Sequence, residues 1–228
     1  MKYKTCISIG ETNPNKIKKI LQHSLKKSEF AEVRFDFLKP EHIPVVLEAI
    51  KKDLKSVVCT LRPKKEGGKF EGNERERISI LKLIAEYNPF LIDVEFSTIK
   101  QNKDLTKYLK KTKTRLLISE HDFKKTPKLS ELQKKVSQMS KFSKNIKIVT
   151  TAKSIEDSAT ILELYSKKKD QNLIAFAMGD QGRISRILGL YLGSPYAYVS
   201  LGKPIAPGQF SVDELKRIID IQNSKSSK

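Results

Sequence analysis

TRLLISEHDFKKTPKLSELQKKVSQMSKFSKNIKIVTT, residues 114–151, decides the fold. It opens on a short apolar run, Arg115–Ser119, and closes on another, Ile146–Thr151. Between them Leu129, Leu132, Val136 and Met139 recur at spacings of three and four, the period of a helix with one buried face. Thr126-Pro127 reads as the helix start, because a proline at the first helical position lacks only an N–H that would be unpaired there. Strand, helix, strand within 38 residues is a βαβ unit, and such units build parallel sheets.

The same alternation runs outward in both directions. Lys4–Ile9, Phe30–Phe35, Ser56–Leu61, Phe90–Val94, Leu173–Ala177 and Tyr196–Ser200 complete a set of eight strands. Asn13-Pro14 opens a helix carrying Ile17, Ile20 and Leu21. Ser154-x-x-Asp157 and Ser211-x-x-Glu214 have the spacing of capping boxes. A helix from about Glu74 should stop at Asn88-Pro89, since a residue before proline is pushed out of α geometry. Eight βα units leave no room for a second domain, so the expected fold is a single-domain α/β (β/α)8 TIM barrel over residues 1–222. The polar residues 223–228 are expected to be a disordered tail. The competing architecture, an open doubly wound sheet, lacks its usual sign: no G-x-G-x-x-G follows the first strand.

Composition narrows the function. No window approaches the ~18 consecutive apolar residues of a membrane span, and the N-terminal apolar stretch is too short for a secretory signal. Cys6 and Cys59 each sit in an apolar run and read as buried free thiols, which points to a reducing cytoplasm. The net charge of +19 raises a nucleic-acid partner. Yet the lysines are spread in short pairs on helix faces, there is no tryptophan, and no recognition motif is present. A solvated surface whose positive field draws in a small anion fits better, and neither nucleic acid nor membrane is expected as a partner.

Barrel enzymes carry their chemistry at the C-terminal ends of the strands. Lys147 is the most telling residue there: Ile146 and Ile148 face one way, so Lys147 faces the other, into the barrel. A desolvated lysine loses its proton more readily, and cations such as Arg62 and Arg186 nearby would free the amine to attack a carbonyl. His121, one strand away, is a candidate proton carrier, and Glu66 after the third strand a candidate orienting group. Gly67-Gly68 and Gly179-x-x-Gly182 could cradle phosphate, but spacings this short mark plain turns more often. No Cys/His cluster has metal-ligand spacing.

In order along the chain stand Glu32-x-Arg34-x-Asp36, T-x-R-x-x-x-E-G-G from Thr60 to Gly68, Asp93-x-Glu95 and S-x-H-D-F from Ser119 to Phe123. Lys147, Ile184-Ser185-Arg186 and Ala206-Pro207-Gly208-Gln209 follow. The set resembles the type I 3-dehydroquinase family, which dehydrates 3-dehydroquinate to 3-dehydroshikimate in the shikimate pathway of aromatic amino-acid biosynthesis. The resemblance implies a (β/α)8 barrel, a homodimer, and no metal or organic cofactor. It assigns Lys147 as the Schiff-base lysine, His121 as the proton shuttle and Glu66 as its orienting carboxylate. Arg186 would pair with the substrate carboxylate, while Glu32, Arg34, Arg62, Gln209 and the first-strand Ser8 would frame the substrate. One position departs: the family commonly has Ser or Thr directly before A-P-G-Q, and here it is Ile205. The loss of that hydroxyl touches how the covering loop holds substrate, not the imine chemistry. The competing enzyme class is a class I aldolase, which also uses a strand-six lysine imine; the His121 and Glu66 pairing and the A-P-G-Q loop argue against it.

Overall fold

A computed structural model describes residues 3–167 and 170–224. Its strands are β1 (Thr5–Ile9), β2 (Phe30–Arg34), β3 (Val57–Thr60), β4 (Leu91–Glu95), β5 (Leu116–His121), β6 (Asn145–Thr151), β7 (Asn172–Met178) and β8 (Ala197–Val199). Every pairing is parallel, and the order β7-β6-β5-β4-β3-β2-β1-β8 curls the sheet into a barrel. Ladder hydrogen bonds close it everywhere except between β7 and β8. Helices lie between the strands, as a (β/α)8 barrel requires: α1 (Pro14–Leu25), α2 (Ile43–Ala49), α3 (Glu74–Glu86), α4 (Phe96–Gln101), α5 (Lys103–Lys111), α6 (Leu129–Met139), α7 (Ile155–Leu162), α8 (Arg183–Tyr191) and α9 (Val212–Ser224).

The local start and stop signals act largely as expected. The Asn13 side chain accepts from the Asn15 N–H at the head of α1. Ser211 and Glu214 exchange both bonds of a capping box, and the Asp157 carboxylate accepts from the Ser154 N–H. Thr126-Pro127 does not open α6, which starts at Leu129 with Lys128 in the capping position. The reason lies in the neighbouring strand: the Thr126 hydroxyl bonds Thr150 Oγ1 at 2.9 Å and the Thr151 carbonyl at 3.0 Å. That tie keeps the segment extended along β6. At the other end α9 continues through Ser224, into the expected tail; residues 225–228 lie outside the described residues.

Period two sorts the strand residues into two cores. Ile7, Ala31, Val33, Val57, Cys59, Ile92, Val94, Ile118, Ile146, Ile148, Ala175, Ala177 and Val199 point outward and pack under the helices. Cys6, Val58, Leu91, Leu117, Ile174 and Tyr196 point inward and fill the lower barrel, with Phe30 stacked on Phe90 at 4.3 Å. Cys6 and Cys59 therefore face opposite sides of the sheet and are free, buried thiols.

At the open seam side chains replace the missing ladder. The Ala175 N–H donates to Tyr165 Oη at 2.8 Å, and the Ala177 N–H to Ser185 Oγ at 2.8 Å. Both satisfy β7 donors that have no strand partner, as buried backbone groups must be.

Candidate active site

The C-terminal ends of the strands surround a cavity of about 110 Å³. Ser8, Glu32, Arg34, Arg62, Glu66, His121, Lys147, Arg186 and Gln209 all line it. Nine residues spread over two hundred positions meet in one place because the strands' inward-facing ends and the segments that follow them converge on one rim of the barrel.

Lys147 pairs in register with Ser119 on β5 and Ile174 on β7, and it is only 6% exposed. Its Nζ lies 3.4 Å from Asp93 Oδ2 and 3.9 Å from Glu32 Oε1, and 4.2 Å from the centroid of the Tyr198 ring. The expectation that Arg62 and Arg186 would crowd the amine is corrected here. Its nearest charged neighbours are carboxylates, because Arg62 is turned to partners of its own.

Arg62 gives Nη2 to Asp93 at 2.6 Å and Nη1 to Glu95 at 2.7 Å and Ser119 at 2.6 Å. Burial opposes its charge, yet Asp93 and Glu95 hold the guanidinium well above its ordinary pKa. Arg77, reaching in from α3, binds the other oxygen of Glu95 at 2.7 Å, the Leu61 carbonyl, and both oxygens of Glu74. Taking such charges out of water is tolerable only when every one is paired. The network fixes Asp93, and so the bed on which Lys147 lies.

Glu66 enters from the turn after β3. The Gly68 N–H donates to the Pro63 carbonyl at 3.0 Å, and Gly67 has φ +73°, the left-handed region that disfavours a side chain. A Cβ on Gly67 would also strike the Phe123 ring, and one on Gly68 the Arg62 carbonyl. The two glycines thus make a tight turn, which delivers Glu66 Oε2 to within 3.3 Å of His121 Nδ1. Ser97 donates to the other Glu66 oxygen at 3.1 Å. Phe123 lies nearly parallel to the imidazole, centroids 6.0 Å apart, and is 48% exposed at the mouth.

Burial, reinforced by the cations Arg62, Lys147 and Arg34, holds His121 well below the ordinary imidazole pKa. The ring is neutral at pH 7, a base rather than an acid. Burial pushes the Glu66 carboxyl up to about 7, with Glu95 and Glu120 adding to the rise while Arg62 and the Ser97 bond restrain it. An ionised Glu66 favours the proton on Nδ1 and leaves Nε2 to accept another.

Across the cavity the wall is different. Phe176, Met178 and Tyr198 present aromatic and thioether surface. Arg186 stands against it, 4.0 Å over the Phe176 ring, with Nη2 donating to the Pro207 carbonyl at 3.0 Å. Burial and nearby Arg183 lower its pKa to about 9, which still leaves it cationic at neutral pH. No carboxylate pairs with it among the described residues, whereas Arg34 has Asp36, Arg62 has Asp93 and Glu95, and Arg77 has Glu74 and Glu95. A buried, unneutralised guanidinium facing a cavity is a place for an anion.

The covering loop is tied down through Gln209, whose Oε1 accepts from the Ile205 N–H at 2.9 Å and whose Nε2 donates to Ser8 at 3.3 Å. Ile205 is held by its backbone, so the missing hydroxyl does not unfasten the loop. The sequence reading gave no role to Arg77, Phe123, Phe176, Met178 or Tyr198. A period-two count on β7 and β8 would have marked Phe176, Met178 and Tyr198 as inward, but Arg77, on a helix, had no such signal.

A model of the type I 3-dehydroquinase family matches residues 5–226. A curated 3-dehydroquinate dehydratase from Methanocaldococcus jannaschii is 35% identical over 224 residues, covering 96% of this chain and 99% of its own. Another, from Dehalococcoides mccartyi, is 37% identical over 201 residues, covering 86% and 88%. The crystal structure of 3-dehydroquinate dehydratase from Geobacillus kaustophilus superposes with a TM-score of 0.88 at 22% identity, covering 98% of this chain and 92% of that one. The type I enzyme from Clostridium difficile, solved with covalently modified comenic acid, gives 0.85 at 25% identity, covering 98% and 93%. A sialic acid aldolase from Ruminococcus gnavus reaches 0.55 at 12% identity, covering 86% and 67%, a likeness of fold alone. With the family model spanning nearly the whole chain, this protein belongs to the type I 3-dehydroquinase family.

Proposed function

We propose that this chain is a working type I 3-dehydroquinate dehydratase, a hydro-lyase that forms 3-dehydroshikimate through an imine on Lys147. The observation that carries the reading is one cavity holding Lys147, the His121–Glu66 pair and the uncompensated Arg186. Each supplies one requirement: a nucleophilic amine, a neutral base, and a cation for a carboxylate.

The Lys147 amine adds to the C3 ketone and the carbinolamine loses water, leaving a protonated imine. That cation withdraws electrons and acidifies the proton on C2. His121, neutral at pH 7, takes this proton at Nε2, with Glu66 accepting from Nδ1–H. The resulting enamine pushes out the C1 hydroxyl, which leaves as water with the proton His121 returns. Hydrolysis of the product imine restores the amine. Arg186 holds the substrate carboxylate, and Ser8, Glu32, Arg34, Arg62 and Gln209 frame the hydroxyl-bearing face.

The conjugated enone of the product absorbs in the ultraviolet where the substrate does not. Its appearance on adding 3-dehydroquinate is the expected result. No enone, with carbon–carbon cleavage of a sugar phosphate instead, would favour the aldolase reading. The working unit we propose is a cytoplasmic homodimer. Support comes from α8 and the residue that caps its C-terminus, where Ile184, Leu188 and Leu192 form an exposed apolar row at spacings of four in a chain of net charge +19. Sedimentation at the mass of one chain would contradict it.

A further inference from the structure

The opposite end of the barrel holds a cavity larger than the active site. It measures about 200 Å³ and opens at the N-terminal ends of the strands, where its rim residues Lys4 and Arg115 are exposed. Its roof is the apolar layer of Leu91, Leu117, Ile174 and Tyr196 that fills the lower barrel. Its charged groups are Lys4, directly before β1, and Arg115, directly before β5. No Asp or Glu lines it, and neither cation has an ion pair among the described residues. Glu29, beside Phe30 in the chain, turns its carboxylate to the Thr5 N–H at 3.0 Å. The amides of Asn145 and Asn172 on the wall are bonded to each other at 2.9 Å, and Asn145 also donates to the Leu116 carbonyl at 3.1 Å.

The two cations stand apart by construction. In the strand order β7-β6-β5-β4-β3-β2-β1-β8, three strands separate β1 from β5 on either side, so Lys4 and Arg115 lie across the barrel from each other. Along one wall between them Phe30 and Phe90 are stacked 4.3 Å apart. Lys4 Nζ lies 5.9 Å from the Phe30 centroid, and the Arg115 guanidinium 4.7 Å from that of Phe90. A gap of 4.3 Å between rings admits no cation, so each sits on an outer face of the pair. Each ring steadies its cation by cation–π attraction. A guanidinium stacked on a ring keeps its in-plane N–H groups for a carboxylate. With two rings between them, the cations cannot share one anionic group.

We propose that this N-terminal mouth is a second binding site, and that its ligand is a small organic dianion with two carboxylates at opposite ends of a ring-sized apolar body. Each carboxylate meets one cation, and the body lies against Leu117, Ile174 and Tyr196. The volume suits such a body, since a cavity of about 150 Å³ already holds benzene. Inorganic phosphate fits less well: it would engage one cation and leave the apolar roof wet. The site lies at the end of the barrel away from Lys147, and it stands whether or not the chain dehydrates 3-dehydroquinate.

Terephthalate is the probe, in calorimetric titrations at about 0.15 M salt. Benzoate, with one carboxylate, and inorganic phosphate, with no ring, are the comparisons. Each is titrated into the wild-type protein and into Arg186→Gln, which lacks the active-site cation. In both proteins terephthalate should bind about fivefold more tightly than benzoate, the factor for one partly exposed ion pair. In the Arg186→Gln protein phosphate should bind more weakly than either. Added to that protein, Lys4→Gln or Arg115→Gln should each bring terephthalate down to about the affinity of benzoate. Both residues are exposed, so neither change should unfold the barrel. No saturable binding of terephthalate, or equal affinity for benzoate, overturns the two-cation site. Binding that Arg186→Gln abolishes would place the ligand in the active site and overturn it too. So would binding that Lys4→Gln and Arg115→Gln leave untouched, which would put the ligand elsewhere on a surface of net charge +19.

Discussion

The two halves of the barrel interior are built on the same strands and differ in almost every other respect. Cys6, Val58, Leu91 and Leu117 fill the lower half with apolar surface. Two residues farther along the same strands stand Ser8, Thr60, Asp93 and Ser119, and beyond them Arg62, Glu95 and His121. The lower half gains stability from removing apolar area from water. The upper half keeps charges in a dry place, pairs Arg34, Arg62 and Lys147 with carboxylates, and leaves Arg186 open for an anion. Stability and chemistry are thus separated along the strand rather than between domains, and a substitution should act on one or the other according to its height in the barrel.

A matched pair of truncations tests that separation most severely. His121→Ala should leave imine trapping possible while slowing turnover by ~10²–10⁴-fold, the range for an acid–base group. Its melting temperature should change little. Leu117→Ala, below it on the same strand and fully buried, should cost about 2–5 kcal/mol of stability with kcat nearly preserved in the fraction that stays folded. Steady-state kinetics and thermal melts on both variants check the contrast. If Leu117→Ala were to slow turnover as much as His121→Ala, the two halves would not be separable.

A smaller effect concerns pH. Glu66 ionises near 7 and His121 well below 6.5, so kcat/KM should fall as pH drops through about 7, where Glu66 takes up a proton and no longer accepts from Nδ1–H. Glu66→Gln should lower activity and abolish that limb of the profile. The sign for stability is set by the raised carboxyl. Its folded pKa lies above its unfolded one, so its contribution is present below the ordinary carboxylate range and is lost as pH rises through about 7. Relative to the wild type, Glu66→Gln should therefore gain melting temperature at pH 8 compared with pH 5. A kcat/KM profile unchanged by Glu66→Gln would remove the orienting role.

The lower and upper halves were also unequally legible in the sequence. Apolar runs with flanking helix periods gave the eight strands to within a residue or two, because burial on both faces leaves little else that such runs can be. The chemistry was legible where a polar residue broke an apolar run, as Lys147 does between Ile146 and Ile148. What the sequence concealed was pairing across the barrel. That Arg62 turns to Asp93 and Glu95, and leaves Lys147 beside carboxylates, depends on strand stagger and on Arg77 arriving from a helix. The start of α6 was missed for a similar reason, since a hydrogen bond from Thr126 to β6 overrode a local proline signal. The seam at β7–β8 has no periodic sign in the sequence, because its donors are met by Tyr165, which stands out in no pattern, and by Ser185, which stands out only as part of Ile184-Ser185-Arg186.

The central claim is that the one lysine facing the barrel interior from β6 is the nucleophile. Mass spectrometry of the protein reduced with borohydride in the presence of 3-dehydroquinate tests it most directly. The account predicts a single covalent adduct, and its peptide maps to Lys147. An adduct on any other lysine, or none under conditions where the enone product forms, would contradict it.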